Sequence, residues 1–337
     1  MTKLRWGILG CAKIAREHLI PAIQASSCAE VVAAASRSLD SAESFASDLN
    51  IPKAYGSYQA LLDDPTIDAV YNPMPNHLHV PWSVKALEAG KHVLCEKPLG
   101  LTAADLNPLI SAAAKYPNLL VREAFMYRFH PQWLEAKKIV ESGALGEIKS
   151  LDATFTYNSF DPENVRYKAE WGGGGLLDVG CYCVSAARYL FGGEPQRVIS
   201  TLDLDPRCAV DRHASGLLEF ESGSARFTCS MQVESTQNVS VLGTKGRLVI
   251  ESPFYLPADG QSRLLLSIDG CTEQKVFANE NHYQHQIESF AKIVGERQFD
   301  SSLALNEALC NMKVLDALFQ SNKSASWVHV EHNLPKI

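Results

Sequence analysis

Leu4-Arg5-Trp6-Gly7-Ile8-Leu9-Gly10-Cys11-Ala12-Lys13-Ile14-Ala15 is the stretch that decides how the rest of the chain reads. Leu4–Leu9 is a short apolar strand, Ile14–Ala25 has helical spacing through Ile14, Ile20 and Ile23, and Gly10 stands at the corner between them. Set against the dinucleotide fingerprint G-x-G-x-x-G/A, the run supplies Gly10 and Ala15 and puts Ala12 at the second glycine. The chemistry needs a tight turn at Gly10, a small residue at 12 where backbone approaches a pyrophosphate, and a small residue at 15 for close packing. Gly10, Cys11, Ala12, Lys13 and Ile14 are therefore the candidate phosphate-binding turn, with the helix N-terminus facing the anion. A purely structural strand–helix corner would use the same residues, so the surroundings decide.

Outward from this corner the first ~120 residues alternate strand and helix, the pattern of a parallel α/β sheet. Val31–Ser36 is an apolar strand, and Ser41–Leu49 a helix with Asp40 placed to cap it. Tyr58–Asp63 (helix), Asp68–Tyr71 (strand), Pro81–Ala89 (helix ended by Gly90) and His92–Cys95 (strand) follow. Ala103–Lys115, opened by Thr102, and the strand Leu119–Ala124 complete the series. Beyond it the rhythm changes. A helix at Pro131–Ser142 precedes strands at Lys149–Tyr157, Arg197–Leu204, Ser215–Phe220, Ala225–Val233, Asn238–Leu242, Arg247–Glu251 and Arg263–Ile268. Gly223, Gly243, Gly246 and Asp269–Gly270 punctuate them as turns of antiparallel pairs. Helices at Tyr283–Val294 and Leu305–Gln320 end the chain. The expectation is an α/β domain over residues 1–123 and an α+β domain over 124–337, with no internal repeat.

Composition agrees with a soluble two-domain protein. The chain has 337 residues, 46% apolar and 20% charged, too long for one ordinary core. Its longest apolar run, Val31–Ala35, has five residues, far short of the ~20 that span a bilayer. No signal-peptide core follows the N-terminus, so export is not expected. A formal charge of −7 with no basic run argues against nucleic acid and anionic membrane as partners. Nine scattered cysteines without a CxxC pair point to reduced thiols in a cytoplasmic protein.

Four runs carry chemistry. The second strand ends in Ala35-Ser36-Arg37, where an acidic residue normally takes the ribose 2′-hydroxyl of NAD; a hydroxyl and a guanidinium suit the 2′-phosphate of NADP. Tyr71-Asn72-Pro73-Met74-Pro75-Asn76-His77-Leu78-His79 leaves a strand end that prolines keep extended. Pro73, Met74, Pro75, Asn76 and His79 are read as loop residues that seat the cofactor, and no carboxylate spacing makes the two histidines metal ligands. Lys91-His92-Val93-Leu94-Cys95-Glu96-Lys97-Pro98 puts Glu96 and Lys97 directly after a strand, beside the cofactor, although a surface ion pair would explain them equally. Pro98 restricts Lys97 to extended backbone. Finally, Gly172-Gly173-Gly174-Gly175-Leu176-Leu177-Asp178-Val179-Gly180-Cys181-Tyr182 allows close approach at the glycines. If Asp178–Leu190 is helical, Asp178 and Tyr182 share one face.

Together these runs resemble the Gfo/Idh/MocA family of oxidoreductases over nearly the whole chain, with Glu96-Lys97-Pro98 the most specific element. Arg122–Pro131 and Leu177–Tyr182 look most like the branch of dimeric dihydrodiol dehydrogenase and NADP-dependent D-xylose dehydrogenases. Many members have histidine where this chain has Tyr182, a departure that argues against an inositol dehydrogenase. The resemblance implies a Rossmann domain, a large open, predominantly antiparallel sheet that forms a homodimer face, and NADP as cofactor. It implies hydride transfer at a sugar or diol hydroxyl, with Lys97, Tyr182 and Asp178 as catalytic residues. Tyr182 would move the hydroxyl proton, Lys97 would stabilise the alkoxide, and Asp178 would hold Lys97 or the substrate. Tyr127, Phe129, Phe160 and Trp171 are candidates for an aromatic substrate platform, with Trp171 nearest the nicotinamide and Tyr283 a weaker candidate. A keto- or anhydro-sugar reductase, a non-catalytic NADP sensor and a nucleotide-dependent glycosidase are the other classes open at this level.

Overall fold

Six short strands carry the first unit: β1 (Leu4–Leu9), β2 (Ala29–Ala35), β3 (Lys53–Tyr55), β4 (Ala69–Asn72), β5 (His92–Cys95) and β6 (Val121–Glu123). They pair in the order β3-β2-β1-β4-β5-β6, parallel throughout. Strands buried on both faces need apolar side chains on both, and Ala33, Ala34, Ala35, Val93, Leu94 and Cys95 are fully buried. Strand order reverses between β1 and β4, so a crevice opens at the carboxyl ends there. Gly10, Asn72 and Glu96 all follow or end strands at that edge. The computed structural model describes residues 3–257, 260–278, 280–297 and 300–332.

The helices of this layer are α1 (Ile20–Ala25), α2 (Leu39–Asp48), α3 (Tyr58–Leu62), α4 (His79–Glu88) and α5 (Asn107–Lys115). The helix expected over Ile14–Ala25 is present, wound as a π-helix over Ala15–Leu19 before α1. Asp40 does not cap α2; it lies in the first turn, and the extended Ser38 accepts the Ser41 amide at 3.4 Å. Ser57 caps α3 in the same way, accepting from Ala60 at 3.1 Å. Thr102 and Asp105 cap each other's amides, Thr102 N to Asp105 Oδ2 at 2.9 Å and Asp105 N to Thr102 Oγ1 at 3.3 Å.

The second unit contains α6 (Pro131–Glu141), β7 (Ile148–Asn158), α7 (Cys181–Phe191) and the strands β8 (Arg197–Leu204), β9 (Asp211–Glu219), β10 (Ser224–Ser230), β11 (Gln232–Gly243), β12 (Gly246–Ile250), β13 (Gln261–Ile268) and β14 (Cys271–Ala278). With β15 (Val328–His329) they form a nine-stranded sheet, β14-β13-β12-β11-β7-β10-β9-β8-β15. Every neighbouring pair is antiparallel except β7 and β10. One face is apolar, with Leu151, Ala153, Val239, Val241, Leu248 and Ile250 buried, and α6 and α7 pack on it. The expected single strand Ala225–Val233 is two strands. β10 runs beside β7, the chain turns at the buried Met231, and β11 returns along β7's other edge. Ser230 makes that corner, its hydroxyl accepting Gln232 N at 3.1 Å and donating to the Arg212 carbonyl at 2.7 Å.

Two longer helices follow, α8 (His282–Glu296) and α9 (Ser301–Ser324). The chain does not divide once at 123/124 as expected. The first unit runs to Phe129 and regains Asn281–Leu309, while the second holds His130–Glu280 and resumes at Cys310. The reason is packing. Phe290 of α8 lies 5.0 Å from the ring of Trp6, and the Ser301 hydroxyl donates to Leu119 O at 2.9 Å while accepting Val121 N at 3.1 Å. The outermost ends of the two expected domains, residues 1–2 and 333–337, lie outside the described residues. Among the described residues no helix is long and apolar enough to cross a membrane.

Candidate active site

The corner after β1 is built as a nucleotide turn. Gly10 has φ +111° and nothing within 4 Å of where a Cβ would stand, so conformation rather than space demands glycine there. Its amide donates to Ala35 O at 3.0 Å, and Ala12 O accepts Arg16 N at 3.1 Å to start the helical run. Cys11 and Lys13 are exposed, while Ala12 and Ile14 are half-buried. The Cys11 thiol donates to Ser41 O at 3.7 Å, and burial raises its pKa, which keeps it a neutral thiol. Ser36 is half-buried and Arg37 exposed just past β2, with no acidic residue before Asp40. These side chains fit a phosphorylated ribose: a guanidinium and a hydroxyl at the strand end, a glycine turn and a helix start beside it.

The loops after β4 and β5 are tied together. Asn72 is fully buried, donates to His79 O at 3.0 Å and accepts the Met74 amide at 3.3 Å, which fixes the Pro73–Met74 turn. His79 was expected to seat a cofactor. It is fully buried, with Nδ1 at 2.8 Å from Pro98 O and Nε2 at 2.6 Å from Met74 O. Burial drives its pKa down to about 4 although both carbonyls pull the other way. The neutral ring has one N–H to donate, to Pro98 O or to Met74 O, and lies wedged between the two loops. Pro75 and Asn76 are half-buried at the start of the same turn. Glu96 accepts the Tyr71 hydroxyl at 2.6 Å and the Lys97 amide at 3.3 Å, and Glu123 accepts Leu99 N at 2.9 Å. Lys97 is half-buried between these anchors and precedes a cis peptide to Pro98.

In the second unit the glycine run is shaped by what presses on it. A Cβ on Gly173 would lie 2.5 Å from Arg166 O, and one on Gly174, at φ +115°, would lie 2.1 Å from Asp211 Oδ1. Asp211 is buried and accepts the Leu176 amide at 2.5 Å; burial lifts its carboxyl to about 7 against the pull of the Leu176 and Gly175 amides. The chain is then helical through Asp178–Leu190 as expected, wound as a π-helix over Leu176–Gly180 and as the α-helix α7 from Cys181. Asp178 Oδ2 accepts the Tyr157 hydroxyl at 2.7 Å and Arg166 Nε at 2.9 Å. Tyr182 sits one turn on, its buried ring 5.4 Å from Phe155 edge-on and 5.3 Å from Phe254.

The aromatics divide. Tyr127 is fully buried, edge-on to Phe125 at 5.9 Å, with Arg128 Nε at 3.4 Å from its hydroxyl, while Arg128 also pairs with Glu307. Phe129 lies under the Arg122 guanidinium at 5.7 Å. Phe160 is exposed and packs on Tyr167 at 5.0 Å, with Arg207 stacked over it at 3.5 Å. Trp171 is exposed beside the glycines. Tyr283 stacks on His18 at 5.0 Å. Tyr157, Arg166 and Asp211 escaped the sequence reading because each is remote from the glycine run or looks like an ordinary surface charge. For Tyr157 the strand pattern of β7 was the signal, and it marks a strand residue without naming its partner.

A model of the oxidoreductase family with an NAD-binding Rossmann fold matches residues 4–124, and a model of the GFO/IDH/MocA C-terminal domain matches residues 133–249. The chain is 38% identical over 330 residues to D-xylose 1-dehydrogenase (NADP(+)) 2 of Haloferax volcanii, covering 97% of this chain and 100% of that one. Trans-1,2-dihydrobenzene-1,2-diol dehydrogenase of Xenopus tropicalis is 33% identical over 295 residues, 84% of this chain and 87% of its own. Among solved structures, KijD10, a 3-ketoreductase from Actinomadura kijaniata in complex with NADP and TDP-benzene, superposes with a TM-score of 0.87 at 33% identity. That match covers 95% of this chain and 98% of the other.

Proposed function

Since the chain belongs to the Gfo/Idh/MocA family of oxidoreductases, we propose that it is an NADP-dependent dehydrogenase of a pyranose such as D-xylose or D-glucose, or of a trans-dihydrodiol. The observation that carries this reading is the loop Glu96-Lys97. It places an ammonium at the carboxyl end of β5 and is braced by the Tyr71–Glu96 bond and by the His79 ring against Pro98 O. Ser36 and Arg37 at the end of β2 support NADP over NAD, and the near-complete match to a xylose dehydrogenase supports the substrate class.

When bound, NADP supplies the hydride acceptor or donor. The protein's part is to manage a proton and a charge. Tyr182 takes the hydroxyl proton in oxidation and returns it in reduction, Lys97 stabilises the oxygen as negative charge develops on it, and Asp178 accepts from a substrate hydroxyl. Tyr157 and Arg166 hold Asp178 for that task. A homodimer through the nine-stranded sheet belongs to the same reading and is tested by light scattering.

Nicotinamide absorbance of purified protein, recorded with NADP+ and with NAD+ against aldoses, inositols and trans-diols, tests the assignment. Reduction of NADP+ by xylose or glucose upholds it. Likeness to a 3-ketoreductase favours a second reading, NADPH-dependent reduction of a keto- or anhydro-sugar, which NADPH consumption by such sugars alone would establish. Tight NADPH binding with no turnover in either direction would replace both with a sensor.

A further inference from the structure

The Arg166–Asp178 ion pair is half open to solvent on one side, with the arginine side chain 44% exposed and the aspartate 13%. Pairs of that kind contribute little to stability, yet Arg166 is tied down at every polar group described for it. Its amide donates to Asn164 Oδ1 at 3.1 Å, its Nη1 reaches the same oxygen at 3.4 Å, and its Nε reaches Asp178 Oδ2 at 2.9 Å. Its carbonyl accepts the Gly174 amide at 3.0 Å, and the same carbonyl excludes any side chain at 173. One residue thus grips the candidate carboxylate and the turn four residues before it.

We infer that Arg166 is a positioning residue: it fixes the plane of the Asp178 carboxylate through Nε and pins the glycine turn that presents Asp178 through its own carbonyl. Tyr157 completes the hold as a second donor to the same oxygen; burial and then Asp178 raise its pKa far above the phenol range, so it stays protonated and donating. Trp171 lies on the arc between the two ends of this staple, where Lys168 O also accepts the Gly173 amide at 3.0 Å. The inference rests on the proposed role of Asp178 in binding a substrate hydroxyl. A planar guanidinium sets direction as well as charge, whereas an ammonium supplies charge alone.

The test compares Arg166→Met, Arg166→Lys and Tyr157→Phe with the wild type in steady-state kinetics on the sugar that turns over, and in hydrogen exchange of the segment 171–178. Arg166→Met should lower kcat/KM for the sugar by about tenfold or more, since small misplacements of a positioned group have effects of that size. KM for NADP+ should not move, Arg166→Lys should recover part of the loss, and exchange in 171–178 should quicken. A sugar kcat/KM within about twofold of wild type, or a loss shared equally by NADP+ binding, overturns the inference. If no sugar turns over in the wild type, it is the functional reading that fails. Hydrogen exchange then still decides the side-chain hold, since methionine keeps the carbonyl at 166 that accepts Gly174 N: faster exchange in 171–178 in Arg166→Met upholds it, and unchanged exchange rejects it.

Discussion

Tyr182 offers a clean separation between packing and chemistry, because its ring is buried among Phe155 and Phe254 and only its hydroxyl is asked to react. Tyr182→Phe keeps the ring contacts, so the urea midpoint should hardly move while kcat falls by ~10²-fold or more, the usual contribution of a positioned acid or base. A smaller loss removes Tyr182 from proton transfer. Arg37 makes a different claim. It is exposed, so Arg37→Ala should leave folding intact yet raise KM for NADP+ by ~10-fold or more, the worth of a charge-assisted bond of roughly 1.5–3 kcal/mol. KM for NAD+ should stay level, and equal weakening of both cofactors would show that Arg37 does not read the 2′-phosphate. The positions of Gly10, Arg37 and Lys97 were legible because a strand end fixes where they go whatever their neighbours do. Asp211 was not, since a buried aspartate at the head of β9 takes its meaning from a glycine turn far away in sequence. The inward turn of His79 was hidden for a related reason: the carbonyls of Met74 and Pro98 that flank its ring are brought there by the fold.

Elements show the same division between local and distant causes. The parallel sheet could be read because short, mostly apolar strands alternate with helices, and β1 and β5, like β8 of the second sheet, fall on their expected spans. The β10–β11 corner could not, because strand propensity runs straight through Met231 while the pairing partner's edge changes beneath it. The helix that carries Asp178 is π-wound over Leu176–Gly180 before α7, and the buried Asp211 accepts the amide of its residue Leu176, a partner that propensity does not reveal. Two glycines make this testable. Gly174→Ala must move the buried Asp211 carboxylate or reshape a left-handed turn, and should destabilise the protein by about 2–4 kcal/mol in urea. Gly295, in the last turn of α8, meets nothing within 4 Å and has no positive φ. Gly295→Ala should stabilise by about 0.5–1 kcal/mol through helix propensity. Equal effects at the two positions would mean that the packing of the glycine run is not what requires glycine.

Over the whole molecule the two units carry buried titratable groups of opposite kind, and linkage turns that into opposite responses to pH. In the first unit, burial lowers His79 and His92 from 6.5 to about 4. Between those values the unfolded chain binds protons that the folded unit refuses, so stability is full above about pH 6.5 and declines as pH falls toward 4. In the second unit, burial raises Asp211 from 3.8 to about 7. The folded unit then holds a proton that the unfolded chain has released, and stability declines as pH rises across that window. Each shift corresponds to roughly 3–4 kcal/mol at most when fully expressed. His92→Asn keeps an acceptor for the Leu120 amide, which His92 Nδ1 accepts at 2.8 Å, but cannot take up a proton. Asp211→Asn keeps one carbonyl oxygen for Leu176 and likewise does not titrate. Relative to wild type, His92→Asn should therefore fare better at pH ~5 than at pH ~7.5, and Asp211→Asn better at pH ~7.5 than at pH ~5. Urea unfolding at both pH values supplies the differences, and peptide-resolved hydrogen exchange assigns them to β4–β5 or to residues 174–178. Drifts of the same sign in the two variants, or none in either, would mean that these groups do not set how each unit responds to acid.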